Sequence, residues 1–189
     1  MRPLIVSILL ASAACAAHSH DVAPAVSTTA AIMNMHTATN PGALFELYRT
    51  FSFGPSEAAP VGYQTSARAA EVQRRLQRLI AAALTQKGYV PATGKGDVFI
   101  MFGSGVRDTS THEASDVGAA WLPDDENADF VEGSLVIDAF DGSAGHKIWH
   151  GASRANINPD RIDDPLLQRS VRELLSSFPE AKSSDPAGH

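Results

Sequence analysis

The stretch that decides the fold reads Phe130-Val131-Glu132-Gly133-Ser134-Leu135-Val136-Ile137-Asp138-Ala139-Phe140, then Asp141-Gly142-Ser143-Ala144-Gly145-His146, then Lys147-Ile148-Trp149-His150-Gly151-Ala152-Ser153-Arg154. Successive side chains of a strand point to opposite faces. Glu132, Ser134, Val136 and Asp138 therefore share one face of the first run, and Val131, Gly133, Leu135, Ile137 and Ala139 share the other. Asp141 to Gly145 has the composition of a hairpin loop, so Lys147 to Arg154 returns as the antiparallel partner. Asp138, close to that turn, is expected to accept hydrogen bonds from loop amides. Trp149 is expected to wall the core.

Outward from the hairpin, Asp164 caps a helix with Pro165 at its first position. Val171, Leu174, Leu175 and Phe178 form its apolar stripe, and Pro179 ends it. Upstream, Val98 to Phe102 is a continuous apolar run, the pattern of a strand buried on both faces. Before it, Val72, Leu76, Leu79, Ile80, Ala83 and Leu84 recur at helical period and predict a long helix over Ser66 to Lys87. Ser66 stands at the N-cap and Gly88 where a left-handed C-terminal residue is wanted. Tyr48 to Phe53 reads as a short strand, and Ala31 to His36 as a weaker one that opens the domain. Each helix has one apolar stripe and needs a sheet to cover it. The fold class is α+β: a two-layer sandwich, with a mixed, mainly antiparallel sheet and two helices packed on it.

The whole chain has 189 residues, room for one domain of ordinary size. Its 44% hydrophobic and 19% charged residues exclude a disordered or coiled-coil chain. A net charge of -6 without a basic cluster argues against nucleic acid as a partner. The single cysteine excludes an intramolecular disulfide and a cysteine-based zinc cage.

That cysteine stands near the front. Arg2 supplies a positive charge, Leu4 to Leu10 is apolar apart from Ser7, and Ala11 to Ala17 is rich in small residues. This is the layout of a secretory signal peptide. The apolar run is far shorter than the ~20 residues of a membrane-spanning helix. Ser12-Ala13-Ala14-Cys15 resembles a bacterial lipobox, with Ser12 where that pattern prefers an aliphatic residue. The other route is signal-peptidase cleavage after Ala16 or Ala17. The reading adopted is a signal peptide over 1–14, lipidation at Cys15, a flexible tether over 15–30, one domain over 31–180 and a disordered tail over 181–189. The partner is then the membrane, reached through the N-terminal lipid.

Taken in order, several pieces resemble the bacterial domain of unknown function 4136. They are Asn40-Pro41 with Leu44-Phe45 and Tyr48-Arg49-Thr50-Phe51; Lys87-Gly88-Tyr89; Asp97-Val98; Glu132-Gly133-Ser134-Leu135-Val136-Ile137-Asp138; Lys147-Ile148-Trp149-His150-Gly151; and the closing helix before Phe178-Pro179. They span about residues 31–179. The resemblance implies an exported α+β domain, usually lipid-anchored, and carries no established activity.

No catalytic constellation emerges from the residues. Gly103-Ser104-Gly105 is too short for a nucleophile elbow, and Gly94-Lys95-Gly96-Asp97 lacks the frame of a phosphate loop. No cofactor is implied. The acidic run Asp124 to Asp129 lacks the spacing and glycine of a calcium loop. A metal alternative rests on His18, His20 and His36. After cleavage at Ala17, the free amine and His20 would make a square-planar set suited to copper(II), with Met33, Met35 and His36 nearby. His146 and His150, on one strand, would lie ~13 Å apart, too far to share an ion.

The sequence thus describes a non-enzymatic lipoprotein of the cell envelope, on the periplasmic face, that binds or supports another envelope protein or ligand. Trp121 and Leu122, flanked by Asp124 and Asp125, are the candidate partner surface. The alternative is a soluble periplasmic copper-binding protein.

Overall fold

The alternation in 131–154 builds a hairpin at the centre of the sheet. A computed structural model describes residues 33–108 and 131–182. The chain divides into Met1–Ala30 and Ala31–His189, and every described residue lies in the second unit. The strands are β1 (Asn34–Thr39), β2 (Thr50–Phe53), β3 (Val90–Pro91), β4 (Val98–Asp108), β5 (Val131–Asp141) and β6 (Lys147–Ile157), and the helices are α1 (Ala69–Gln86) and α2 (Asp164–Ser176). The described strands form one sheet in the order β1-β6-β5-β4-β2-β3. The pairs from β1 to β4 are antiparallel, and β2 runs parallel to β4 and β3. This is the mixed sheet of a two-layer α+β sandwich.

The face assignments of β5 hold in the register. Ile137 pairs with Phe102 and Gly151, and Ala139 with Ile100 and Trp149. Ile100, Phe102, Ile137, Ala139 and Trp149 join one core with Leu76, Ile80 and Leu84 of α1 and Val171, Leu174 and Leu175 of α2. Both helices therefore cover the same face of the sheet. Phe178, just beyond α2, meets Trp149, Phe45 and Tyr89 edge-on, with ring centroids 5.4–5.6 Å apart. Trp149 lies over Gly151, where an added Cβ would fall 2.3 Å from the indole ring. A bulge between Ala139 and Phe140 inserts Ile148, and both Ile148 and Trp149 are buried.

Several expectations shift. The apolar run 98–102 alternates, with Val98, Ile100 and Phe102 buried and Phe99 and Met101 half-buried. Its strand continues to Asp108 because the chain at 57–63 packs where Gly103 and Gly105 lack side chains. The opening strand begins at Asn34 and runs to Thr39, paired in full with β6. Ser66 does not cap α1 with its hydroxyl; its carbonyl accepts from Ala69 N–H, and the helix starts at Ala69 without a side-chain cap. The N-cap of α2 is Asp163, not Asp164: its Oδ1 accepts from Leu166 N–H at 2.9 Å. Gly88 does take the left-handed conformation expected of it, at φ 88°. Ala181 N–H donates to Lys87 O at 2.8 Å, fastening the chain beyond α2 to the end of α1.

Candidate functional site

The helix-covered face of the sheet is filled with large side chains at one end and with small ones at the other. Ser104 and Ser153 flank Leu135 in the register, and Gly133 pairs with Ala155. These four small residues form the floor of an apolar cavity of about 110 Å³. Val72 and Leu76 of α1 and Leu166 and Leu167 of α2 are among its walls. The segment between β6 and α2 closes one side with Pro159 and Ile162. Arg68, Arg161 and Asp163 bring charge to the lining. Asp163 is engaged as the α2 cap. Arg68 and Arg161 make no ion pair with another described residue.

The opposite face carries a polar cluster on β5 and β6. Asp138 is buried, contrary to its expected place at the turn. Its Oδ2 accepts from Lys147 Nζ at 2.5 Å and its Oδ1 lies 2.6 Å from His150 Nδ1. The role foreseen for Asp138 belongs to Asp141, three residues further on. Asp141 Oδ1 accepts from Ser143 N–H, Ser143 hydroxyl and Ala144 N–H at 2.6–2.7 Å. Its Oδ2 accepts from the Tyr48 hydroxyl at 2.6 Å. Along β4 on this same face, Arg107 lies over the Tyr63 ring and pairs with Glu132 at 2.8 Å, while Tyr63 hydroxyl donates to Glu132. Burial, then that bond, pushes the Tyr63 phenol up. Asp97 ties β2 to β4: its Oδ2 accepts from Arg49 N–H, Thr50 N–H and Thr50 hydroxyl at 2.8–2.9 Å. Burial raises this carboxyl, but those donors outweigh it and hold it below its ordinary value.

The sequence profile of the domain of unknown function DUF4136 matches residues 35–180. The chain belongs to this family. Comparison with curated proteins finds no match. Among solved structures, the chain is similar to a DUF4136 family protein from Bacteroides thetaiotaomicron, at 13% identity and TM-score 0.47, covering 76% of this chain and 94% of that one. It is also similar to a PDZ domain protein from Parabacteroides distasonis, at 14% identity and TM-score 0.53, covering 81% of this chain and 37% of that one. A PelC dodecamer from Paraburkholderia phytofirmans aligns at 11% identity and TM-score 0.48, over 80% of this chain and 100% of that one.

Within the DUF4136 domain, the residues singled out from sequence fare unevenly. Cys15, His18, His20, Trp121, Leu122, Asp124 and Asp125 lie outside the described residues. His36 sits on β1, exposed, on the same face as His150, which the sequence set aside. His146 precedes β6 rather than lying on it. The cavity itself carries no sequence motif. Its floor residues are scattered over four positions between 104 and 155, and strand register alone assembles them.

Proposed function

We propose that this DUF4136 protein is a non-enzymatic, lipid-anchored binding module of the bacterial cell envelope that holds a small anionic amphiphile in the cavity beneath its paired helices. One observation carries the reading. Where neighbouring positions of the same sheet face bear Phe102, Ile137 and Trp149, the register places Ser104, Gly133, Ser153 and Ala155 under α1 and α2. A fold with no use for the hollow gains stability by filling it, since a void forfeits packing contacts on every side. For scale, an apolar cavity of about 150 Å³ accepts benzene. A short alkyl group fits the volume here, and the guanidinium groups of Arg68 and Arg161 suit an acidic head. Among the described residues no helix is long and apolar enough to cross a membrane. Attachment would then fall to the lipid on Cys15, behind the export signal of residues 1–14.

Two measurements test this. Intact mass of the protein isolated from bacterial membranes should show a chain that begins at Cys15 and carries acyl groups. A chain that begins beyond residue 15 and stays in the aqueous fraction overturns the anchor. For the cavity, a heteronuclear NMR titration with hexanoate should shift amides of Ser104, Ser153 and Leu166, and hexanol should bind more weakly. Ser153→Leu should fill the hollow and abolish the shifts without lowering the melting temperature. Unchanged hexanoate binding in Ser153→Leu overturns the site.

A further inference from the structure

The face of the sheet away from the helices carries two imidazoles across one ladder. Ala38 pairs with His150 and His36 with Ala152, so the two histidines are diagonal neighbours on the same side of β1 and β6. Their ring centroids are 6.3 Å apart and the rings are tilted by 54°. Metal–nitrogen bonds of about 2.0–2.1 Å put the centroids of two imidazoles on one ion roughly 5–6.5 Å apart. The pair is thus spaced for a shared ion after a small rotation of His36, whose side chain is exposed on an edge strand and free to make it.

The protonation geometry points the same way. Asp138 is buried, and both of its oxygens are taken, one by Lys147 Nζ at 2.5 Å and one by His150 Nδ1 at 2.6 Å. An ionised carboxylate only accepts, so the hydrogen of that bond sits on His150 Nδ1. The lone pair of neutral His150 is then on Nε2, away from Asp138. A carboxylate behind the far nitrogen of a histidine is the usual support of a metal-bound imidazole: it fixes the tautomer and the ring and raises basicity. Lys147 neutralises the outer oxygen of Asp138 and keeps the carboxylate a positioning group rather than a ligand. Among the described residues no group of three His, Cys, Asp or Glu side chains could hold a metal ion, so His36 and His150 would be the two protein ligands.

We propose that His36 and His150 form a two-imidazole site for a divalent first-row transition ion, with Asp138 orienting His150 and water completing the coordination. Imidazole ligands suit copper, zinc and nickel, and copper(II) binds tightest in that series. The site lies on the face of the sheet opposite the cavity, and His36, His150 and Asp138 are all described residues.

The test uses the chain as isolated from cells, with His18→Ala and His20→Ala so that leader imidazoles cannot contribute. Calorimetric titration with copper(II) and with zinc(II) should give one equivalent per chain, copper the tighter. Electron paramagnetic resonance of the copper form should show two imidazole nitrogens. His36→Ala should weaken binding about tenfold or more and leave one nitrogen in the spectrum, as should His150→Ala. Asp138→Asn should keep both nitrogens while weakening affinity by about 10–100-fold, which a purely structural ion pair would not do. His36→Ala changes an exposed edge position and leaves the fold intact, which the circular dichroism spectrum verifies. No stoichiometric copper, or copper binding that His36→Ala leaves unchanged, overturns the proposal.

Discussion

Asp141 shows how much one side chain can organise. It closes the hairpin between β5 and β6 through Ser143 and Ala144 and reaches across to Tyr48, 93 residues away in the chain. The Ser143 hydroxyl, then the Tyr48 hydroxyl and the Ala144 N–H, hold its carboxyl well below the usual range. Tyr48 is pushed up to about 12 by burial and then by its bond to that carboxylate. A carboxyl depressed in the folded state stabilises the fold above its unfolded value of about 3.9, and the contribution fades as pH falls below it. In denaturant titrations, Asp141→Asn should be less stable than the parent at pH 7, with the gap narrowing towards pH 3. A gap that stays constant contradicts this assignment. Trp149 offers a second test. Its indole N–H is buried without a partner among the described residues. Trp149→Ala should cost about 3–5 kcal/mol, but Trp149→Phe far less, because no hydrogen bond is lost with the nitrogen. Equal losses by thermal denaturation would show that the nitrogen is bonded after all. The sequence exposed Trp149 as core, since it stands on an apolar strand. It did not separate Asp138 from Asp141, because which of the two reaches the loop depends on where β5 ends, and the bulge at 139–140 is invisible in the pattern.

Elements differ in how much of them the sequence displays. The stripes of α1 and α2 were legible because helical period concentrates Leu76, Ile80 and Leu84, or Val171, Leu174 and Leu175, on one side. Their starts were harder. Asp163 and Asp164 are both good caps by type, and backbone conformation decides: Asp163 is extended, at φ -90° and ψ 92°, while Asp164 already belongs to the helix. Asp163→Ala should destabilise the domain by about 1 kcal/mol in urea titrations. Asp164→Ala loses its exposed, solvent-screened pairing with Arg75 and should cost less than Asp163→Ala. The reverse ranking would move the cap. The second half of β4 escaped the pattern altogether. Gly103-Ser104-Gly105 lies beyond the apolar run that ends at Phe102, yet these residues pair with Val136, Leu135 and Ser134. They are small because other chain passes over them on one face and the cavity lies on the other.

At the scale of the whole molecule, the long ladders of β4, β5 and β6 form the centre of the sheet, while β1 and the two-residue β3 are its edges. Amides of Phe102, Ile137 and Gly151 should therefore exchange with solvent more slowly than those of Asn34 to Thr39. Hydrogen exchange with uniform protection across β1 and β5 would contradict that hierarchy. The α+β class was legible because hairpin chemistry and two single-stripe helices leave few other arrangements. The strand order was not, since nothing local specifies that β2 lies beside β4 in parallel. The hollow under the helices was illegible for the same reason. Small residues at 104, 133, 153 and 155 mean nothing apart and become a floor only through register. The most direct measurement of the binding claim is the set of intermolecular nuclear Overhauser effects between hexanoate and the methyl groups of the protein. Contacts from the alkyl protons to Val72, Ile157, Leu166 and Leu167 are expected, all of which line the cavity. Their absence at saturating hexanoate, or contacts confined to methyls elsewhere, would contradict it.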